Sequence, residues 1–151
     1  MLTEKDYCDY ETCVALKELG YKVSTSAYYI PNDTTLYFVS NPFRGGYAID
    51  CFYSHNSLRE GVVTSNYIDA PTMWEAQKWL REEKKIIIEA NFNLMYKGQP
   101  RFSWRVLYNL TQHKGAYYTL DSVMSKEDYD SFEEALLEGI KGAIKLLKEE
   151  K

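Results

Sequence analysis

Apolar and polar positions along this chain follow two periods, and the second half carries both most clearly. From Thr72 onward, Met73, Ala76 and Leu80 recur at helical spacing with Gln77 alongside. Trp74 and Trp79 stand about 140° apart around the same helix and flank this apolar stripe on opposite sides. Thr72-Met73-Trp74-Glu75 reads as a capping box, in which the hydroxyl accepts from the N–H three residues on and the glutamate reaches back. Ser131-Phe132-Glu133-Glu134 repeats the signature before a second periodic stretch, Phe132, Leu136, Ile140, Ala143, Ile144 and Leu147. Gly139 and Gly142 weaken that helix but allow it to lie close to a sheet.

Between the two helices the period falls to two. Ile86, Ile88, Ala90, Phe92, Leu94 and Tyr96 alternate with Ile87, Glu89, Asn91, Asn93 and Met95. Lys97-Gly98-Gln99-Pro100 turns the chain into Phe102, Trp104, Val106, Tyr108 and Leu110, with Arg101, Ser103, Arg105 and Asn109 mainly on the other face. Thr111 to Gly115 make a further turn before Ala116 to Leu120. This predicts an antiparallel meander with one buried and one wet face, in the order α-β-β-β-α.

The first half reads less regularly. Thr3 is placed to cap a helix with Leu2 and Tyr7 as its hydrophobic staple, and Tyr7, Tyr10, Val14 and Ala15 follow at helical spacing. Gly20 stops it, with Leu16 and Tyr21 meeting across a Schellman-type end. Ser26–Ile30 and Leu36–Ser40 flank the turn-rich Pro31-Asn32-Asp33-Thr34-Thr35. A loop at Asn41–Gly46 leads to a strand with Tyr47, Ile49, Cys51 and Tyr53 on one face; residues 54–70 are the least regular, with a short strand at Val62–Thr64. The expectation is a single α+β domain over residues 1–151, with an antiparallel, mostly meandering sheet of about five to seven strands and the helices on one side. The helix-then-strands order occurs in both halves, but they share no residue pattern that marks a repeat.

Composition changes this picture little. A hydrophobic content of 45% with 26% charged residues fits an ordinary globular chain. The net charge is −4, with 9 acids against 5 bases in residues 1–70 and 13 against 13 in residues 71–151. Neither half has the basic excess that phosphate binding requires. The 14 tyrosines outnumber the 6 phenylalanines, so much of the aromatic surface carries a hydroxyl that needs water or a partner. Met1–Asp6 is charged rather than leader-like, and the longest aliphatic run, Ile86-Ile87-Ile88, is far short of a membrane span. Three cysteines then read as free thiols in a reducing cytoplasm.

Several segments resemble small proteins carried by prophages and mobile elements of gut bacteria. They are Ala15-Leu16-Lys17 with Gly20-Tyr21; Ala70-Pro71-Thr72 with Glu75-Ala76-Gln77-Lys78-Trp79-Leu80-Arg81-Glu82; and Phe132-Glu133-Glu134-Ala135-Leu136 with Gly139, Ile140 and Lys145-Leu146-Leu147. Those proteins usually place tyrosine where Phe132 stands, and residues 22–69 fall outside the likeness. The resemblance implies a genetic setting and a fold, and it transfers no active site.

Candidate chemistry is sparse. Cys8, Cys13, Cys51 and His55 are the residue types zinc takes, but Cys8 and Cys13 on one helix would diverge by about 140°. Cys51 and His55 on one strand would lie about 13 Å apart, so structural cysteines are the reading and neither metal nor cofactor is expected. Cys51 with His55 or His113 is the one nucleophile–base pairing, giving a small hydrolase-type enzyme as an alternative, although Cys51 lies on the face predicted to be buried. His113 reads as a turn residue. Asp50, Glu89 and Asp121 fall on the strand faces opposite the core, and Arg44-Gly45-Gly46 reads as a loop. The α-β-β-β-α order matches double-stranded-RNA-binding domains, but Glu133 and Glu134 at the last helix start would repel phosphate. What remains is exposed tyrosine beside arginine, the composition of a partner-binding patch: Tyr29, Arg101, Arg105 and Tyr117. The leading expectation is a non-enzymatic accessory or interaction protein of a phage or mobile element that binds another protein, with no membrane contact and its oligomeric state open.

Overall fold

The computed structural model describes residues 2–38 and 67–149. The strands expected around Tyr47–Tyr53 and Val62–Thr64 lie outside these residues. The chain forms two compact units, Tyr7–Pro71 and Thr72–Lys151. The α+β class holds, but among the described residues the strands divide between two three-stranded sheets and do not join in one.

In the first unit a helix, α1 (Tyr10–Glu18), is followed by β1 (Ala27–Ile30), β2 (Asp33–Phe38) and β3 (Ile68–Asp69). Residues 4–6 form only a 3-10 turn, so the cap is Asp9 rather than Thr3: its carboxylate accepts from the Thr12 N–H at 2.9 Å. Cys8 therefore precedes the helix, and the argument that Cys8 and Cys13 diverge around one helix does not apply. The far end follows expectation. Tyr21 N–H donates to the Leu16 carbonyl at 2.9 Å and Gly20 N–H to that of Lys17 at 3.0 Å, with Gly20 at φ 101°. These are the two bonds of a Schellman end, and Leu16 and Tyr21 are both buried there. A Cβ on Gly20 would touch nothing within 4 Å, so Gly20→Ala is expected to cost about 1 kcal/mol from backbone strain alone, read as a lower urea midpoint with an unchanged slope.

β1 lies centrally, antiparallel to both β2 and β3, and the hairpin closes as tightly as Ile30 opposite Asp33. Tyr7, Leu16, Tyr21, Ala27, Tyr29, Leu36 and Ile68 are buried around it. The tyrosine surplus has a structural use in this unit. Tyr29 Oη donates to the Cys8 carbonyl at 3.1 Å, Tyr10 Oη accepts from Asn32 N–H at 2.9 Å, and Tyr7 Oη bonds Ser26 Oγ at 2.7 Å. Each ring packs while its hydroxyl satisfies a polar group of a neighbouring segment.

The second unit runs α2 (Met73–Lys84), β4 (Ile87–Tyr96), β5 (Gln99–His113), β6 (Ala116–Met124) and α3 (Phe132–Glu149). The Thr72 capping box is complete: Glu75 N–H donates to Thr72 Oγ1 at 3.2 Å and Thr72 N–H to Glu75 Oε1 at 2.9 Å. At Ser131 only the hydroxyl half forms among the described residues, with Glu134 N–H donating to Oγ at 3.1 Å. The strands make the expected antiparallel meander, and both turns are tighter than the sequence suggests. Lys97-Gly98 and Lys114-Gly115 each place two successive residues at positive φ (51° and 78°; 51° and 81°), as two-residue hairpin turns demand. His113 consequently belongs to the end of β5, opposite Ala116, rather than to a turn.

α3 packs on β4 and β5. Met73, Ala76, Leu80, Ile88, Val106, Leu136 and Ile140 are buried in this unit. Gly139 and Gly142 allow the close approach: a Cβ at Gly139 would sit 2.9 Å from Ile88 Cγ2 and 3.2 Å from Trp104 Cβ, and one at Gly142 would sit 2.8 Å from Trp104 Cη2. The helix thus rests its backbone on the Trp104 indole.

The alternation of β4 breaks at one point. Phe92 pairs with Phe102 but Leu94 pairs with Arg101, so Asn93 is an extra residue, a bulge. Directly opposed residues share a face, so beyond the bulge every side chain changes sides. Phe92 and Met95 share the helix-side face, while Leu94 and Tyr96 join Arg101 on the other. The sequence pattern had placed Phe92, Leu94 and Tyr96 together.

Candidate functional site

Of the four residues expected to form a partner patch, Tyr29 is buried and both arginines are already ion-paired. Tyr29 belongs to the first unit and is buried, its hydroxyl committed to Cys8. A tyrosine pair on a strand puts one ring outward, and here that ring is Tyr28, which stacks on Tyr37 at 5.6 Å and meets Tyr67 edge-on at 4.8 Å. Arg101 and Arg105 do share the polar face of β5, as the alternation predicts, but both are engaged. Arg101 pairs with Asp130 and donates to the Asp128 carbonyl at 3.0 Å. Arg105 holds Glu89 Oε2 through Nε at 2.9 Å and Nη2 at 2.6 Å. A partner would have to displace these carboxylates before using either guanidinium. Tyr117 is placed by its backbone in β6, opposite Gln112.

Among the described residues, the other candidates are not gathered into a reactive centre. Cys51, His55, Asp50 and Arg44-Gly45-Gly46 lie outside the described residues. Cys8 and Cys13 are fully buried, and Cys13 Sγ donates to the Cys8 carbonyl at 3.5 Å. A hydrogen bond with the Cys8 side chain, reinforced by burial, raises the Cys13 thiol far above the ordinary range, which keeps it protonated. Glu89 is held by Arg105 and Asp121 accepts from Asn109 Nδ2 at 2.6 Å, with β5 lying between the two carboxylates. Asp33 is lowered by the Thr35 N–H and the Tyr37 hydroxyl, and Tyr37 is raised by that same bond. The pair fastens the β1–β2 turn. Among the described residues no group of His, Cys, Asp and Glu is placed to hold a metal ion.

A cleft of about 580 Å³ opens between α3 and the chain after β6, floored by Trp104 and Tyr129. Its lining carries both signs in equal number, Lys126, Lys141 and Lys145 with Glu127, Glu138 and Glu149, and Lys141 meets Glu138 at 3.4 Å. Such a lining has no net field to select a charged ligand.

The surface that stands out is the end of the β4–β5 hairpin. Phe92 is 58% exposed, Leu94 40%, Met95 59% and Tyr96 57%. Four large apolar side chains within five residues lie open, and the bulge at Asn93 sets them on both faces of the ribbon. Lys97 Nζ sits 5.4 Å over the Tyr96 ring at the tip. The sequence does show this run, Phe92-Asn93-Leu94-Met95-Tyr96. Its strand-like alternation, however, reads as core, because nothing local reveals that α3 ends its cover before Phe92. Among the described residues no helix is long and apolar enough to cross a membrane. No known protein family, curated protein or solved structure matches the chain.

Proposed function

We propose that this is a non-enzymatic protein-interaction protein, of the accessory kind that prophages and mobile elements carry, and that it binds its partner through the end of the β4–β5 hairpin. The observation that carries this reading is the exposed apolar run Phe92–Tyr96. Soluble surfaces seldom leave aromatic and aliphatic side chains contiguous unless another surface covers them. Aromatic residues and methionine are the types enriched at protein contacts. A two-stranded ribbon with apolar residues on both faces suits insertion between surfaces or addition to a sheet.

A photo-crosslinking residue at Met95 tests it against one at Val23, which is exposed in the first unit. Met95 is expected to yield a defined protein adduct that Val23 does not, and Leu94→Lys is expected to abolish it. Equal, diffuse labelling from both positions would overturn the proposal.

A further inference from the structure

We infer that the partner of the hairpin end is a second copy of this chain, paired antiparallel along the outer edge of β4; this rests on the interaction reading above and names its partner. The two sides of the ribbon differ in a way that selects β4: the outer side of β5 is bridged at Phe102 to Tyr129. Where β6 no longer runs beside it, β5 carries Pro100 and Arg101, and a proline and a charge are the usual devices that blunt a sheet edge. At the same level the backbone of β4 pairs only with β5 among the described residues, and the Asn93 side chain reaches Asp128. Its outer side reads Ala90-Asn91-Phe92-Asn93-Leu94-Met95-Tyr96, seven residues with neither proline nor charge.

The bulge fixes the register. Opposed residues must lie on the same face, and in β4 the faces exchange at Asn93. A two-fold axis through the Asn93–Leu94 peptide meets that condition throughout. It sets Phe92 opposite Met95 of the second copy, Asn93 opposite Leu94, and Asn91 opposite Tyr96. Shifting by one residue puts Phe92 opposite Leu94, on the wrong face; shifting by two puts Phe92 opposite Asn93, again mismatched. The chosen register also brings Lys97 level with Ala90 of the other copy, one residue from Glu89. Arg105 occupies Oε2 of Glu89, and Oε1 accepts no bond among the described residues. Charge thus meets opposite charge at both ends of an otherwise neutral contact. The result is one continuous six-stranded sheet.

An edge of this length buries less than the roughly 1,000 Å² of a stable complex, so the dimer is expected to dissociate on dilution. Sedimentation velocity on the full chain over the micromolar range is expected to show a reversible monomer–dimer equilibrium. Leu94→Lys places two lysines beside the axis and is expected to weaken it about tenfold or more, with an unchanged unfolding midpoint, while Val23→Lys leaves it intact. Oxidation of a Phe92→Cys/Met95→Cys double variant is expected to trap the dimer, with either single variant trapping far less. A wild type that stays monomeric throughout, or a dimer indifferent to Leu94→Lys and untrapped by the double variant, overturns the inference. If the monomeric wild type still gives the Met95 adduct with a different protein, the interaction reading stands and only the self-pairing falls.

Discussion

Leu136→Ala is expected to remove about 2–5 kcal/mol of stability, whereas Leu94→Ala changes it by less than about 0.5 kcal/mol. Both delete the same atoms. Leu136 is fully buried on α3 beside Gly139 and Ile140, where the helix is already pressed onto Trp104 and has little room to collapse into the void. Leu94 is 40% exposed on the hairpin end and loses little water-excluded surface. A single domain holds only about 5–15 kcal/mol in total, so Leu136→Ala should lower the urea midpoint by a large fraction. The comparison is also a check on where the core ends: equal losses at the two leucines would mean that the hairpin is covered.

The second large effect concerns the two glycines of α3. Alanine is worth about 1 kcal/mol over glycine inside a helix, and overpacking a core costs about 1–3 kcal/mol. The neighbours decide the sign. At Gly139 the new Cβ meets Ile88 Cγ2 at 2.9 Å and the Trp104 Cβ at 3.2 Å, and a Cβ is fixed to the backbone. At Gly142 it meets the far rim of the same indole, which a small ring rotation can withdraw. Gly139→Ala is therefore expected to destabilise by about 1–2 kcal/mol net, and Gly142→Ala by less, close to neutral. Gly139→Val adds a second branch against the same wall and should approach the cost of Leu136→Ala. Thermal unfolding of the three variants gives the order directly, and Gly142→Ala more damaging than Gly139→Ala would contradict this packing.

How far the sequence speaks for the structure depends on how local each cause is. The helix from Thr72 was legible because its cap, stripe and boundary all lie within a dozen residues. The same holds for the Schellman end at Gly20. Asp9 and Thr3 are both acceptable caps, and the structure uses Asp9, with Cys8 and Cys13 buried on either side of it; no cap signature contains that burial. Tyr28 and Tyr29 present the same ambiguity on a strand: a one-residue shift exchanges inside and outside, and the β1–β3 pairing that resolves it joins residues far apart in sequence. The bulge at Asn93 left almost no trace, since Phe92, Leu94 and Tyr96 alternate properly and only the apolar Met95 breaks the pattern.

The candidate site was less legible for a related reason. Arg101 and Arg105 were correctly placed on one polar face, but their carboxylate partners lie 29 and 16 residues away. An arginine that satisfies an acid of its own chain looks, in sequence, identical to one waiting for a ligand. Exposure is likewise a tertiary property. The Phe92–Tyr96 run has the composition of a core strand, and it lies exposed only because the ribbon runs on past its helix.

The bulge also governs how β4 can change length. Asn93 shares its place opposite Arg101 with Leu94, so losing that one residue would leave Leu94 across from Arg101, Met95 across from Pro100 and the Lys97-Gly98 turn closed as before. Losing a residue earlier in the paired strand, between Ile87 and Ala90, would turn part of it over and carry the buried Ile88 outward. The bulge is thus the strand's length buffer, a point at which a deletion alters the chain without rewriting its inside and outside. Homologues that differ in length within this hairpin should carry the difference there.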